Sequence, residues 1–93
     1  MAKKRNRLEI IMGILEAIYV TGEINPTKLS LKVNLSYDRV KKILDDLRAR
    51  GLVEVEYSDK RPGSMTIRLT EKGLALVKEL YKLKSLLEEY GLM

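Results

Sequence analysis

The chain has 93 residues and carries 18 Lys+Arg against 13 Asp+Glu, a formal net charge of +5. It contains no cysteine and no histidine, which excludes disulfides, thiolate or imidazole metal sites and the commonest catalytic bases. This length predicts one domain with a single core. The excess of cations favours a polyanionic partner, because Lys and Arg that neutralise phosphates release counterions.

The first predicted helix runs from about Arg7 to Val20. Its apolar residues recur at helical spacing, and the predicted inward stripe is Leu8, Ile11, Leu15 and Ile18. Further apolar surface comes from Ile10, Met12 and Ile14. A helix that is apolar on most sides is buried on more than one side, so a second copy of the chain could cover part of it. Glu9 and Glu16 argue against a signal peptide or a membrane span here.

Two more helices are predicted next. Asn25 followed by Pro26 is typical of a helix N-terminus, and this second helix is expected to reach about Val33. Ser36 is the expected cap of a third helix, predicted from Tyr37 to Arg50 and ended by Gly51. The core face of the third helix is Val40, Ile43, Leu44 and Leu47.

Two short strands and a last helix complete the chain. Apolar and polar residues alternate over residues 52–57 and 65–69, and the loop between these segments carries Lys60, Arg61, Pro62 and Gly63. A β-hairpin with a cationic tip is therefore expected. Thr70 is the predicted cap of a final helix from Glu71 to about Tyr90.

Three helices, a hairpin and one more helix are, in this order, the elements of a winged helix-turn-helix with an added C-terminal helix. A recognition helix contacts DNA bases mostly with its N-terminal half, and a wing contacts phosphates. The candidate contacts on the recognition helix are Ser36, Tyr37, Arg39, Lys41 and Lys42. Those on the wing are Lys60 and Arg61. Those on a basic N-terminal arm are Lys3, Lys4, Arg5 and Arg7. The alternative is that these charges form an ordinary solvated surface, and for the arm the two interpretations are balanced.

The last helix has a second regular pattern. Apolar residues follow each other at intervals of four and three, which is typical of a helix that pairs with another helix. They are Leu76, Leu80, Leu83, Leu87 and Tyr90. The pattern predicts a homodimer joined by this seam, while packing of the helix on its own domain would produce a similar stripe.

The segment from residue 35 to residue 53 and the sequence LTEKG at residues 69–73 resemble the winged helix-turn-helix superfamily of DNA-binding proteins. The residues that match the helix–strand pattern of this superfamily are Ser36, Val40, Leu44, Leu47, Gly51, Leu52 and Val53. In layout, and in its KKRNRLEIIMGILEAI opening, the chain is similar to small DNA-binding proteins of archaea and their viruses. This resemblance implies a dimer formed through the C-terminal helix, although the last helix here is shorter than in the members with long coiled coils.

The fold class expected from the sequence is α+β, mostly α. Residues 1–70 would form the DNA-binding domain with its basic arm, and residues 71–93 a dimerisation helix packed as part of it. The expected function is sequence-specific binding of double-stranded DNA by a homodimeric transcriptional regulator, without enzymatic activity, cofactor, metal or membrane partner. A low-specificity archaeal chromatin protein and a winged-helix protein-interaction module are the alternatives. The expected location is the cytoplasm at the nucleoid, or the host cytoplasm for a viral protein.

Overall fold

A computed structural model describes residues 6–57 and 64–92 of the chain. Within these residues it has four helices and a three-stranded antiparallel sheet, which confirms the mostly helical winged-helix fold. None of the described helices is long and apolar enough to cross a membrane. In chain order the elements are α1 (Arg7–Thr21), β1 (Glu23–Ile24), α2 (Pro26–Val33), α3 (Tyr37–Ala49), β2 (Val53–Tyr57), β3 (Met65–Leu69) and α4 (Glu71–Glu89).

The N-terminus of every one of these helices is capped by a side chain. The oxygens of Asn6, Asn25, Ser36 and Thr70 each accept a hydrogen bond from the backbone N–H three residues further on. Such caps satisfy one of the donors that a first helical turn leaves unpaired, and each stabilises its helix by about 1 kcal/mol. The predicted caps Asn25, Ser36 and Thr70 are therefore confirmed.

The sheet has one strand more than the sequence predicts. Its order is β1-β3-β2, and Glu23 and Ile24 of β1 pair with Arg68 and Ile67 of β3. A strand of two residues is too short to show any alternation, so its position depends on tertiary pairing. Through this pairing Ile24 enters the core, where it is 6% exposed.

The inward face of α1 differs from the predicted stripe. The buried residues of this helix are Ile10, Ile14, Leu15 and Ile18, whereas Leu8 is 62% exposed and Ile11 is only partly buried. The predicted stripe was wrong at Leu8. The cause is the distribution of apolar residues around most of the circumference, which leaves several possible inward directions with similar apolar content.

The junction between the sheet and α4 is unusually close. Only Thr70 separates β3 from α4, and its backbone N–H donates to the Leu52 carbonyl at 3.1 Å while its hydroxyl donates to the Gly51 carbonyl at 2.6 Å. Gly73, in the first turn of α4, lies against the same carbonyl of Leu52. A Cβ at position 73 would come 2.0 Å from that oxygen. The glycine in the LTEKG sequence is therefore required by a close contact between two backbones.

Helix α4 continues from this junction along α1. Val77 is fully buried, the rings of Tyr19 and Tyr81 lie 5.5 Å apart, and Lys84 forms an ion pair with Glu16. Part of the apolar pattern of α4 therefore serves its own domain. Other apolar residues of the helix point to solvent. They are Leu83 and Leu86, both 50% exposed, and they are followed at the C-cap by Tyr90, which is 77% exposed.

Candidate DNA-binding surface

The recognition helix predicted from the sequence is α3. Its four predicted core residues, Val40, Ile43, Leu44 and Leu47, are all buried. Because a helix turns by about 100° per residue, burial of this face directs the opposite face to solvent. That face and its margins hold Tyr37, which is 44% exposed, together with the exposed Arg39 and Lys42. The N-terminal half of α3 thus presents two cations, an aromatic ring and the carboxylate of Asp38 to solvent.

Ser36 and Lys41 are partly occupied within the protein. The Ser36 hydroxyl oxygen accepts the Arg39 backbone N–H at 3.3 Å, and this bond caps α3. Its O–H remains a donor that could bind a phosphate oxygen. Lys41 is half-buried, with Nζ 4.0 Å from Oδ1 of Asp45 one turn further along the helix. Both residues lie at the margins of the exposed face.

Arg7 forms an ion pair with a residue of the predicted recognition helix. Its Nη2 donates to Oδ2 of Asp46 at 2.8 Å, and the other oxygen of that carboxylate accepts from Arg50 Nε at 3.2 Å. This is the one residue of the predicted arm that the structure describes. Since α1 begins at Arg7, the ion pair places the last residue of the predicted arm beside α3.

The remaining predicted contacts lie outside the described residues. They are Lys60 and Arg61 of the wing and Lys3, Lys4 and Arg5 of the arm. The strands that lead into the wing are described, and β2 and β3 pair over five residues each from Val53↔Leu69 to Tyr57↔Met65. The two predicted strands therefore pair with each other in an antiparallel arrangement.

The described cations fall into two groups. One group is bound to protein oxygens, as Arg68 is to Glu54 and Glu56 across the sheet. The other group has no side-chain hydrogen bond or ion pair to any part of the chain that the structure describes. Its members are Lys28, Lys32, Arg39, Lys42, Arg48 and Lys78. Five of these residues lie on α2 and α3, the two helices of the helix-turn-helix.

Sequence reasoning assigned no role to four of these unpaired cations, which are Lys28, Lys32, Arg48 and Lys78. Arg48 lies on the side of α3 that faces the sheet, in a groove that it shares with Tyr57. Lys28 and Lys32 lie one turn apart on α2. The spacing of these two lysines could have indicated a shared anion site, because residues four apart lie on the same face of a helix.

Among the described residues no group of acidic side chains could hold a metal ion.

Solved structures with the same fold include several bacterial regulators of the MarR family. FabT of Streptococcus pneumoniae in complex with DNA superposes with a TM-score of 0.79 at 18% identity, over 91% of this chain and 62% of that one. A cysteine-to-serine mutant of Escherichia coli MarR with operator DNA has a TM-score of 0.74 at 22% identity, over 78% of this chain and 52% of that one. A glycine-to-lysine mutant of Staphylococcus aureus MepR has a TM-score of 0.81 at 16% identity, over 87% and 61% of the two chains. The chain thus spans between 52% and 62% of the length of these three proteins.

The fold and the exposed face of α3 define a helix-turn-helix protein with a wing, the fold of DNA-binding transcription regulators. The sequence agrees, because the family model described as "Winged helix-turn-helix" matches residues 4–88. The chain belongs to this winged helix-turn-helix family. No curated protein matches it in sequence.

Proposed function

We propose that the protein binds double-stranded DNA in a sequence-specific manner as a homodimer and regulates transcription. The observation that carries this proposal is the exposed N-terminal half of α3, where Arg39 and Lys42 have no partner among the described residues. Cations held on a rigid helix without acidic partners are available to an anion, and the net charge of +5 favours a polyanion.

In this proposal α3 enters the major groove with its N-terminal half. Arg39 offers a planar fork that can donate two hydrogen bonds to O6 and N7 of guanine, whereas Lys42 acts as a point charge. Tyr37, 44% exposed, can contact a base edge or the sugar with its ring and a phosphate with its hydroxyl. The predicted wing cations Lys60 and Arg61 and the arm bind phosphates, which fixes position but carries no sequence information.

The direct test is selection of bound duplexes from a random DNA pool. Recovery of a common motif with two related half-sites would support a specific dimer. Enrichment without a motif would contradict sequence specificity and favour a chromatin role. A protein that binds no duplex even at low salt would contradict the proposal as a whole.

DNA affinity is expected to fall steeply as salt rises. If the dimer neutralises about six phosphates, the slope of log K against log salt should be about −5. Titration of one fluorescent duplex between low and physiological salt measures this slope. A slope near zero would exclude an electrostatic contribution.

Arg39→Ala is expected to weaken binding to a selected site by about 1–3 kcal/mol, while binding to random DNA changes much less. Arg50→Ala is the matched control, because it removes the same charge from the C-cap of the same helix, at a residue already bound to Asp46. The control should weaken both kinds of binding slightly and equally. If Arg39→Ala also lowers both affinities in the same ratio, the helix reads only shape and charge.

A further inference from the structure

A cleft of about 400 Å³ lies between α2, β1 and the start of β3, at the end of the hairpin that leads into the wing. It is outside the exposed face of α3 that carries the proposed function. Its lining includes Lys28 and Lys32 from α2, Ser64 and Thr66 from the start of β3, and Glu23 from β1. Two lysines and three residues with hydroxyl groups, the third being Thr21, are therefore among the described residues that border this space.

The two lysines are well placed to act together. Residues four apart on a helix have Cβ atoms about 5–6 Å apart, so both ammonium groups can reach one anion. Both side chains are exposed, and neither has an ion pair or side-chain hydrogen bond within the described residues. Most other described cations have oxygen partners. For example, Lys84 is paired with Glu16, and Lys72 donates to the Arg50 carbonyl.

Among the described residues that line the cleft, one has a carboxylate, and this carboxylate is partly neutralised from outside. An oxygen of Glu23 lies 3.9 Å from Nη1 of Arg68 on the neighbouring strand, and Arg68 is also bound to Glu54. The formal charges of the described lining residues sum to a positive value, because two lysines oppose this single acid. Lysine ammonium groups and hydroxyl groups are donors that suit phosphate oxygens.

We propose that this cleft holds a backbone phosphate of bound DNA, next to the segment that α3 reads. The inference rests on the proposed function, because it assigns a second contact to the same DNA. Residues 34–36 alone connect α2 to α3, and the first helix of a helix-turn-helix crosses the DNA backbone when the second enters the groove. A phosphate seated between α2 and the hairpin fixes the angle at which α3 meets the bases.

The test compares single charge removals on a fluorescent duplex that the wild-type protein binds. Lys28→Gln and Lys32→Gln should each weaken binding about 3- to 10-fold, equally for selected and random DNA, and reduce the salt slope by about 2, because the proposed dimer loses one phosphate contact in each protomer. Lys78→Gln on α4 is the matched control, because Lys78 is also exposed and unpaired among the described residues but lies outside the cleft. Its slope should stay at the wild-type value. Circular dichroism confirms that each variant is folded.

Two further variants test the cleft by removing an acidic side chain in place of a lysine. Glu23→Gln removes the acid that lines the cleft, and Glu54→Gln removes another partner of Arg68 that does not line it. The Glu23→Gln variant is expected to bind DNA more tightly than the Glu54→Gln variant.

If Lys28→Gln and Lys32→Gln behave like Lys78→Gln while the wild type binds DNA, the cleft is not a phosphate site and the proposed function stands. If the wild type binds no DNA, both proposals fail.

Discussion

Replacing Gly73 with alanine is expected to lower the free energy of unfolding by about 1–3 kcal/mol or more, the usual cost of overpacking. The added Cβ would come 2.0 Å from the Leu52 carbonyl oxygen, which is backbone and cannot rotate away. Helix α4 must then shift, which strains the bonds that Thr70 makes to Gly51 and Leu52. Urea denaturation at fixed protein concentration measures the loss.

The matched control is the same substitution at Gly13, in the middle of α1. Apart from the adjacent residues and the local backbone of α1 itself, no described atom lies within 4 Å of the Cβ that would be added there. Alanine stabilises a helix interior by about 0.5–1 kcal/mol relative to glycine, so Gly13→Ala should raise the free energy of unfolding. If Gly73→Ala also raises it, the close contact between α4 and Leu52 does not exist in solution.

A double substitution of Leu83 and Tyr90 by lysine is expected to convert the proposed dimer into folded monomers. These residues belong to the predicted seam and are 50% and 77% exposed in the single chain, so lysine at either position leaves the domain core intact. In a dimer joined through α4 they would be covered, and burying unpaired ammonium groups costs several kcal/mol, enough to raise the dissociation constant about 100-fold or more. Light scattering at micromolar concentration gives the mass, and circular dichroism monitors the fold.

Leu31→Lys is the control for surface charge, because Leu31 is 77% exposed on α2 and lies outside the seam. This variant should keep the mass of the wild type. Leu80 is a poorer position for the test, since it packs against the domain core and lysine there could unfold the chain. A folded dimer in the Leu83 and Tyr90 double variant would show that the seam is not the interface.

Local signals in the sequence were sufficient to predict α2, α3, the hairpin strands and α4. Each begins or ends at a residue with a strong conformational preference, such as Asn25–Pro26, Ser36 or Gly51 with its φ of 76°. In α3 the apolar residues occupy a single face, so its inward direction was determined by the pattern. The exposed positions of Arg39 and Lys42 followed from that direction.

The features that sequence reasoning missed depend on contacts between distant parts of the chain. The pairing of β1 with β3 joins residues more than forty positions apart, and the ion pair between Arg7 and Asp46 spans 39 positions. In α1 the apolar residues surround most of the helix, so only packing against the other elements selects Ile10 over Leu8. The cleft beside Lys28 and Lys32 likewise exists only once α2 and the hairpin are brought together.

The one-residue junction at Thr70 has a consequence for the spacing between DNA half-sites that a dimer could bind. Because β3 passes into α4 without a linker and is bonded there to Gly51 and Leu52, the DNA-binding elements cannot swing freely about α4. In a dimer joined through α4, the two recognition helices would be held at one separation and one relative angle. Inserting a single base pair between two half-sites moves one of them by about 3.4 Å and rotates it by about 34°. In such a dimer, the number of base pairs between half-sites would become part of what the protein recognises, alongside the bases that it would contact.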